Sequence, residues 1–221
     1  MKPLIVLIGP PGSGKGTQGR LLASSFGFAY LATGDLVRAA SKSERQDDLH
    51  RQIKDRYHAG IPQPDEIINE LLWHTLHEKE SEIAKGLILD MYPLSMGQVG
   101  GLKKLVQDFD FAQPDVFYFD VSQEETVRRI GMRRFCAHDN RSVVSDSPEG
   151  VKGICSVCGG VLVTREDDKP EVVIRRYREY ARRFEPMLKF FKETGWLHVV
   201  EASRSVEEIQ QDVKSIVEAH I

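Results

Sequence analysis

The chain has 221 residues, 41% of them hydrophobic, and a formal net charge of −3. This length suits one domain with insertions, and the apolar fraction is enough for a core. The near-balanced charge gives no whole-protein case for nucleic-acid binding, and no apolar run is long enough to span a bilayer. The first residues enter an apolar run at once, without a charged-then-apolar signal, so the expected location is cytoplasmic.

Strand and helix signals alternate along the chain. Strands are predicted at 3–8, 28–31, 86–90, 115–121 and 196–201. Helices are predicted at about 15–26, 35–42, 44–59, 65–80, 96–108, 123–135, 171–193 and 205–219. Such alternation predicts an α/β fold around a parallel sheet, with ligands at the carboxyl ends of the strands. Two regions interrupt the rhythm. Residues 35–66 read as helical without a strand, and 136–168 hold Gly, Ser, Pro, Asp and Cys with little periodicity. Both read as lobes added to the sheet.

The first strand signal, Leu4-Ile5-Val6-Leu7-Ile8, runs into Gly9-Pro10-Pro11-Gly12-Ser13-Gly14-Lys15-Gly16-Thr17, and a helical pattern follows. Strand, glycine-rich loop, lysine and helix form the layout of a phosphate-binding loop. Backbone N–H groups of Gly12, Ser13, Gly14, Gly16 and Thr17 would curl around an anion, and the helix dipole adds to them. Lys15 would supply a point charge for the β- and γ-phosphates of a nucleotide. Gly16 stands where Ser or Thr is usual in such loops, and Thr17 comes one residue later. A glycine-rich turn without a ligand is the plain alternative.

The stretch GPPGSGKGTQ resembles the adenylate kinases and their nucleoside-monophosphate kinase relatives, and the resemblance extends from residue 4 to about 204. It implies a P-loop three-layer fold with a five-stranded parallel sheet. The core would comprise 1–32, 65–133 and 169–221. A helical monophosphate-binding lobe would cover 33–64, and a small zinc-ribbon-like lid 134–168. The implied reaction is reversible transfer from Mg·ATP to AMP giving two ADP, by a monomer. A different acceptor, or an ATP-binding regulator with weak turnover, is the alternative.

Further motifs carry the resemblance. Thr33-Gly34-Asp35-Leu36-Val37-Arg38 resembles T-G-D-x-x-R, in which the Arg binds the monophosphate's phosphate and the Thr lies by its base. Thr33 and Asp35 also suit helix caps. Ala59-Gly60-Ile61-Pro62-Gln63-Pro64-Asp65 resembles A-G-x-x-V-x-D, with Gln63 at the Val; Asp65 is also a candidate cap. Asp90-Met91-Tyr92-Pro93-Leu94 with Gln98 resembles D-G-F-P-R followed by an adenine-binding Gln. Asp90 would hold a Mg²⁺ water. The family's Gly is Met91 here, and its phosphate-clamping Arg is Leu94. Loss of such a contact costs about 2–4 kcal/mol. Lys103 and Lys104 are candidate replacements.

Arg129-Ile130-Gly131-Met132-Arg133-Arg134 resembles R-I-x-G-R-R, in which the first Arg stacks on the ATP adenine and the second reaches the phosphates. Arg165-Glu166-Asp167-Asp168 with Arg175-Arg176 resembles R-x-D-D…R. Arg165 and Arg176 would bridge the transferring phosphoryl group and so touch AMP as well, with Asp167 and Asp168 pairing to catalytic arginines. Arg204, in Val200-Glu201-Ala202-Ser203-Arg204, would meet ATP's adenine mainly through its backbone. No general base is expected, since a phosphate acceptor is already ionised.

Cys136-x-x-Asp139 and Cys155-x-x-Cys158, fifteen residues apart, resemble a zinc ribbon with one Cys replaced. Three thiolates plus Asp139, or alternatively His138, would close a tetrahedral structural Zn²⁺ site. A lid without metal is the alternative.

Overall fold

A computed structural model of the chain describes residues 1–138, 141–164 and 168–221. The chain divides into two compact units. The first comprises Met1–Gly9, Gly14–Asp120 and Arg183–Ile221, and the second Pro10–Ser13 and Val121–Arg182.

The first unit is built on a five-stranded sheet of β1 (Leu4–Ile8), β2 (Ala29–Ala32), β3 (Leu87–Asp90), β4 (Asp115–Asp120) and β8 (Leu197–Glu201). Its order is β2-β3-β1-β4-β8, and every pairing is parallel. β1 lies at the centre with all five residues buried, as a continuous apolar run requires when both faces are covered. Each predicted strand of the sheet is present to within a residue or so.

Helices α1 (Lys15–Phe26), α2 (Thr33–Lys42), α3 (Asp48–His58), α4 (Asp65–Glu78), α5 (Met96–Asp108) and α9 (Val206–His220) complete this unit, joined by the end of α8 (Pro170–Glu193). α1 packs very close to the sheet. A Cβ added at Gly19 would fall 2.5 Å from the Tyr30 ring and 2.8 Å from Leu7 Cδ1, so only glycine fits. Helices α2, α3 and α4 share a small core of Ala40, Leu49, Ile53, Ile67 and Leu71. Each fully buried Leu or Ile there contributes about 1.5–3 kcal/mol.

Neither Thr33 nor Asp35 caps α2: the N-cap is Ala32, and Asp35 lies in the first turn. Asp65 likewise lies inside α4, whose N-cap is Pro64. Its carboxylate is taken by tertiary donors instead: Ser95 Oγ at 2.6 Å and Gln98 Nε2 at 2.9 Å.

In the second unit, α6 (Gln123–Gly131) stops four residues before the predicted end. The four-residue spacing of Arg129 and Arg133 mimics a helix face, but Arg133 opens strand β5 (Arg133–Cys136). This strand is the centre of a small antiparallel sheet, β6-β5-β7, with β6 (Ser142–Val144) and β7 (Leu162–Val163). The short α7 (Pro148–Lys152) begins with Ser147 accepting from the Gly150 N–H and with Pro at the first helical position, where no N–H is needed. Residues 136–168 therefore hold short strands and a turn of helix that the sequence pattern does not reveal. Among the described residues no helix is long and apolar enough to cross a membrane.

Candidate active site

The phosphate loop leaves the carboxyl end of β1. Gly12 and Gly14 adopt φ of 76° and 89°, a left-handed conformation that residues with a Cβ avoid. Gly14 is the N-cap of α1, and its carbonyl accepts the N–H groups of Thr17 and Gln18 at 3.0 and 3.1 Å. Lys15, the first residue of α1, is 7% exposed. A lysine so deeply buried needs negative charge nearby, and Asp90 supplies some of it.

Asp90 ends β3, next to the end of β1 in the sheet. Burial pushes its carboxyl above the usual carboxylate range, while the Lys15 ammonium and the Tyr30 hydroxyl pull it back. Tyr30 donates to Asp90 Oδ2 at 2.5 Å, and Oδ1 is buried without a protein partner among the described residues. Burial and the Asp90 charge in turn drive the Tyr30 phenol well above its ordinary pKa, so it stays a donor. A Cβ at Gly16 would lie 3.1 Å from Arg20 Nη1, 3.4 Å from Tyr30 Oη and 3.5 Å from Asp90 Oδ2. A side chain at 16 would therefore stand in ordinary contact with the carboxylate and displace only the tip of Arg20. Tyr30 and Arg20 are absent from the sequence motifs. An aromatic residue in a strand reads as core, and only the sheet register brings it beside Asp90.

The residues expected on the acceptor side also lie in this unit. Thr33 is buried, and its hydroxyl donates to Met91 O at 2.7 Å. Arg38 is ion-paired with Asp35 one turn earlier, and Gly34 lies against the Arg38 guanidinium. Gln63 donates to Ile53 O at 3.1 Å, with Oε1 buried and unmatched among the described residues. The Gln98 amide is engaged at both ends, accepting from the Leu94 N–H at 2.7 Å and donating to Asp65. Leu94 is half-buried. Met91 holds φ of 60°, the left-handed value expected of a glycine. Tyr92 follows, before a cis proline. Its extra hydroxyl donates to Asn69 Oδ1 at 2.7 Å, in space left by Gly101. Lys103 sits 4.6 Å from the Phe190 ring centroid, and Lys104 lines a cavity of about 330 Å³ with Tyr92 and Trp73. Arg204 contacts Asp212 at 2.5 Å and Glu201 at 3.8 Å through its side chain.

Within the second unit, Gly12 packs under Ile130 of α6, where a Cβ would come within 3.0 Å of Cγ1. Ser13 is almost fully buried. Arg129 is held by Glu125 at 2.6 Å. Hydrogen bonding from Arg128, with help from Arg129, lowers the Glu125 carboxyl to about 2. Arg133 stacks 4.5 Å from the Phe135 ring centroid and bonds Asp168 Oδ1 at 2.9 Å. Asp168 has no side-chain exposure. Arg176 is half-buried on α8. Arg165, Asp167 and Asp139 lie outside the described residues.

The thiols of Cys136, Cys155 and Cys158 all lie within 4.8 Å of one another. Cys136 and Cys158 Sγ are 3.3 Å apart. Arg141 lies 3.6 Å from Cys155 Sγ and, with the Cys158 N–H, lowers that thiol's pKa, which favours the ligating thiolate. Gly160 closes the cradle: a Cβ there would fall 2.9 Å from Cys136 Sγ and 3.0 Å from His138 Cβ. The three thiols and their tight floor could hold a metal ion.

A family model described as adenylate kinase matches residues 7–196. The chain belongs to the adenylate kinase family. It is 33% identical to an adenylate kinase of Fervidobacterium nodosum over 208 residues, covering 94% of each chain. It is 34% identical to that of Thermosipho melanesiensis over 218 residues, covering 96% of this chain and 98% of the relative. The match to that of Pyrococcus abyssi is 32% over 215 residues, covering 97% and 95%. As a member of the adenylate kinase family the chain is a phosphotransferase, and its parallel sheet and phosphate loop are the corresponding fold.

Proposed function

We propose that this enzyme transfers the γ-phosphoryl group of Mg·ATP reversibly to AMP, giving two ADP. The observation that carries this reading is the pair of buried charges Lys15 and Asp90 at the carboxyl end of the sheet, with the half-buried Tyr30 bonded to Asp90. Lys15 and the N-terminus of α1 bind the phosphates, as a cation and a positive dipole end. The unmatched Asp90 Oδ1 fits a water of a Mg²⁺ ion, which when bound supplies further positive charge against the phosphate oxygens. Tyr30 orients that carboxylate through its other oxygen.

Thr33, Gly34, Arg38, Gln63 and Gln98 form the acceptor side, with Arg38 leaving Asp35 for the AMP phosphate. Arg129, Arg133, Arg165 and Arg176 supply donor-side and transition-state charge, with Asp167 and Asp168 positioning these arginines. We assign 33–64 as the monophosphate lobe and 134–168 as the lid, whose closure excludes water so that the phosphoryl group meets AMP. Cys136, Cys155 and Cys158 hold a structural Zn²⁺ in that lid, with Asp139 as fourth ligand; His138 is the alternative.

The deciding experiment is a coupled ADP-formation assay with Mg·ATP against AMP, CMP, UMP, GMP and dAMP. Turnover is expected with AMP at a raised KM. Turnover confined to another monophosphate would overturn the acceptor assignment, and ATP binding without turnover would overturn the catalytic one.

A further inference from the structure

A second group of metal-type donors lies in the first unit, away from the phosphate loop. Asp115 is the first residue of β4, His198 the second residue of β8, and His220 the last residue of α9. His198 Nε2 and His220 Nδ1 both reach the same carboxylate oxygen, Asp115 Oδ1, each at 2.8 Å. The three donor atoms all lie within 4.8 Å of one another. Asp115 pairs with Ile5 at the amino end of the sheet, whereas the phosphate loop leaves its carboxyl end.

We propose that Asp115, His198 and His220 bind a borderline divalent transition metal, Zn²⁺ by chemistry. Two neutral imidazoles and one carboxylate are a donor set that zinc favours, with water completing the tetrahedron. Ligand atoms of such a tetrahedron stand about 3.3 Å apart. The two histidine–carboxylate distances need to open by only about half an ångström from 2.8 Å once the ion replaces the two shared protons, and the two histidine nitrogens already lie within 4.8 Å of each other. The His198 ring is held against Phe117, with centroids 5.0 Å apart and planes 29° from parallel, which fixes the direction of its nitrogen. His220 is half-exposed and provides the entry path. The ion would tie the last turn of α9 to two strands, a structural role that leaves the phosphoryl chemistry untouched.

The test is titration of the metal-stripped full chain with Co²⁺, followed by visible absorption. Thiolate ligation in the lid gives sulfur-to-cobalt charge-transfer bands, whereas a His₂Asp site gives d–d bands without them. The expected result is one equivalent of Co²⁺ that lacks the thiolate bands and competes with Zn²⁺. That equivalent should be lost in both His220→Gln and Asp115→Asn, with ADP formation unchanged. His220→Gln changes a half-exposed side chain at the end of α9 and keeps the test sound should Asp115→Asn fail to fold. Absence of any thiolate-free equivalent in wild type, or its persistence in His220→Gln, would overturn the proposal.

Discussion

Tyr30 donates its phenolic hydrogen to Asp90 Oδ2 at 2.5 Å, while Asp90 Oδ1 is buried with no partner among the described residues. Tyr30→Phe removes the donor that favours the charged carboxylate. The loss of a hydrogen bond to a charged group, about 1.5–3 kcal/mol, should lower kcat/KM for Mg·ATP roughly tenfold or more. Burial already raises the Asp90 pKa and the tyrosine opposes it. The acid limb of the kcat/KM profile should therefore move to higher pH in the variant. A limb that stays in place, or moves to lower pH, would refute the coupling of Tyr30 to an essential Asp90.

Lys15→Ala removes the buried cation at the start of α1. Turnover should fall at least about a hundredfold with the circular dichroism spectrum unchanged. Activity within a few-fold of wild type would refute the phosphate-loop assignment. The same substitution takes from Asp90 a charge that lowers its pKa, so its carboxyl should titrate higher still.

Met91→Gly tests the strained position after β3. A left-handed conformation costs a non-glycine residue about 1–2 kcal/mol, and glycine returns about 0.5–1 through its unfolded-state entropy. The variant should gain about 0.5–1 kcal/mol, a rise in Tm of roughly 2 °C by calorimetry. A fall in Tm would mean that the Met91 side chain contributes more than its backbone costs.

Leu94→Arg restores a charge where the family has one. It should lower KM for AMP about tenfold or more while leaving KM for ATP within a few-fold. Steady-state kinetics with both substrates separates the two. An unchanged or higher KM for AMP would show that the pocket is built around a different contact.

The lid cysteines should hold one zinc, released on titrating the thiols with a mercurial. Chelation or Cys158→Ser should lower the temperature of thermal inactivation, because among the described residues the cysteines sit in a small cluster, Cys136, Val143, Cys155 and Leu162, too small to hold the segment without the ion. Thermal inactivation that is insensitive to the chelator would refute a structural metal.

The sheet was legible because β1, β3 and β4 are apolar runs bounded by turn residues, and the loop was legible because its glycines and lysine are contiguous. Other features depend on chain segments meeting in space. Tyr30 and Asp90 lie sixty positions apart and meet only through the β2–β3 register. Asp65 reads as a cap until Ser95 and Gln98 are seen to take its oxygens. β5 was hidden because Arg133 and Arg134 continue the basic pattern of α6, and its hydrogen bonds come from strands on either side.

The contact at Gly19 couples helix packing to catalysis. Its missing side chain is what lets the Tyr30 ring approach α1 so closely. An alanine there would press on that ring and, through it, on the carboxylate beyond. The helix would still form, since alanine is the better helix former. The overpacking would itself cost about 1–3 kcal/mol of stability, and the displaced ring would carry the disturbance to the magnesium side of the site, so one methyl group that never meets the nucleotide would touch both folding and catalysis.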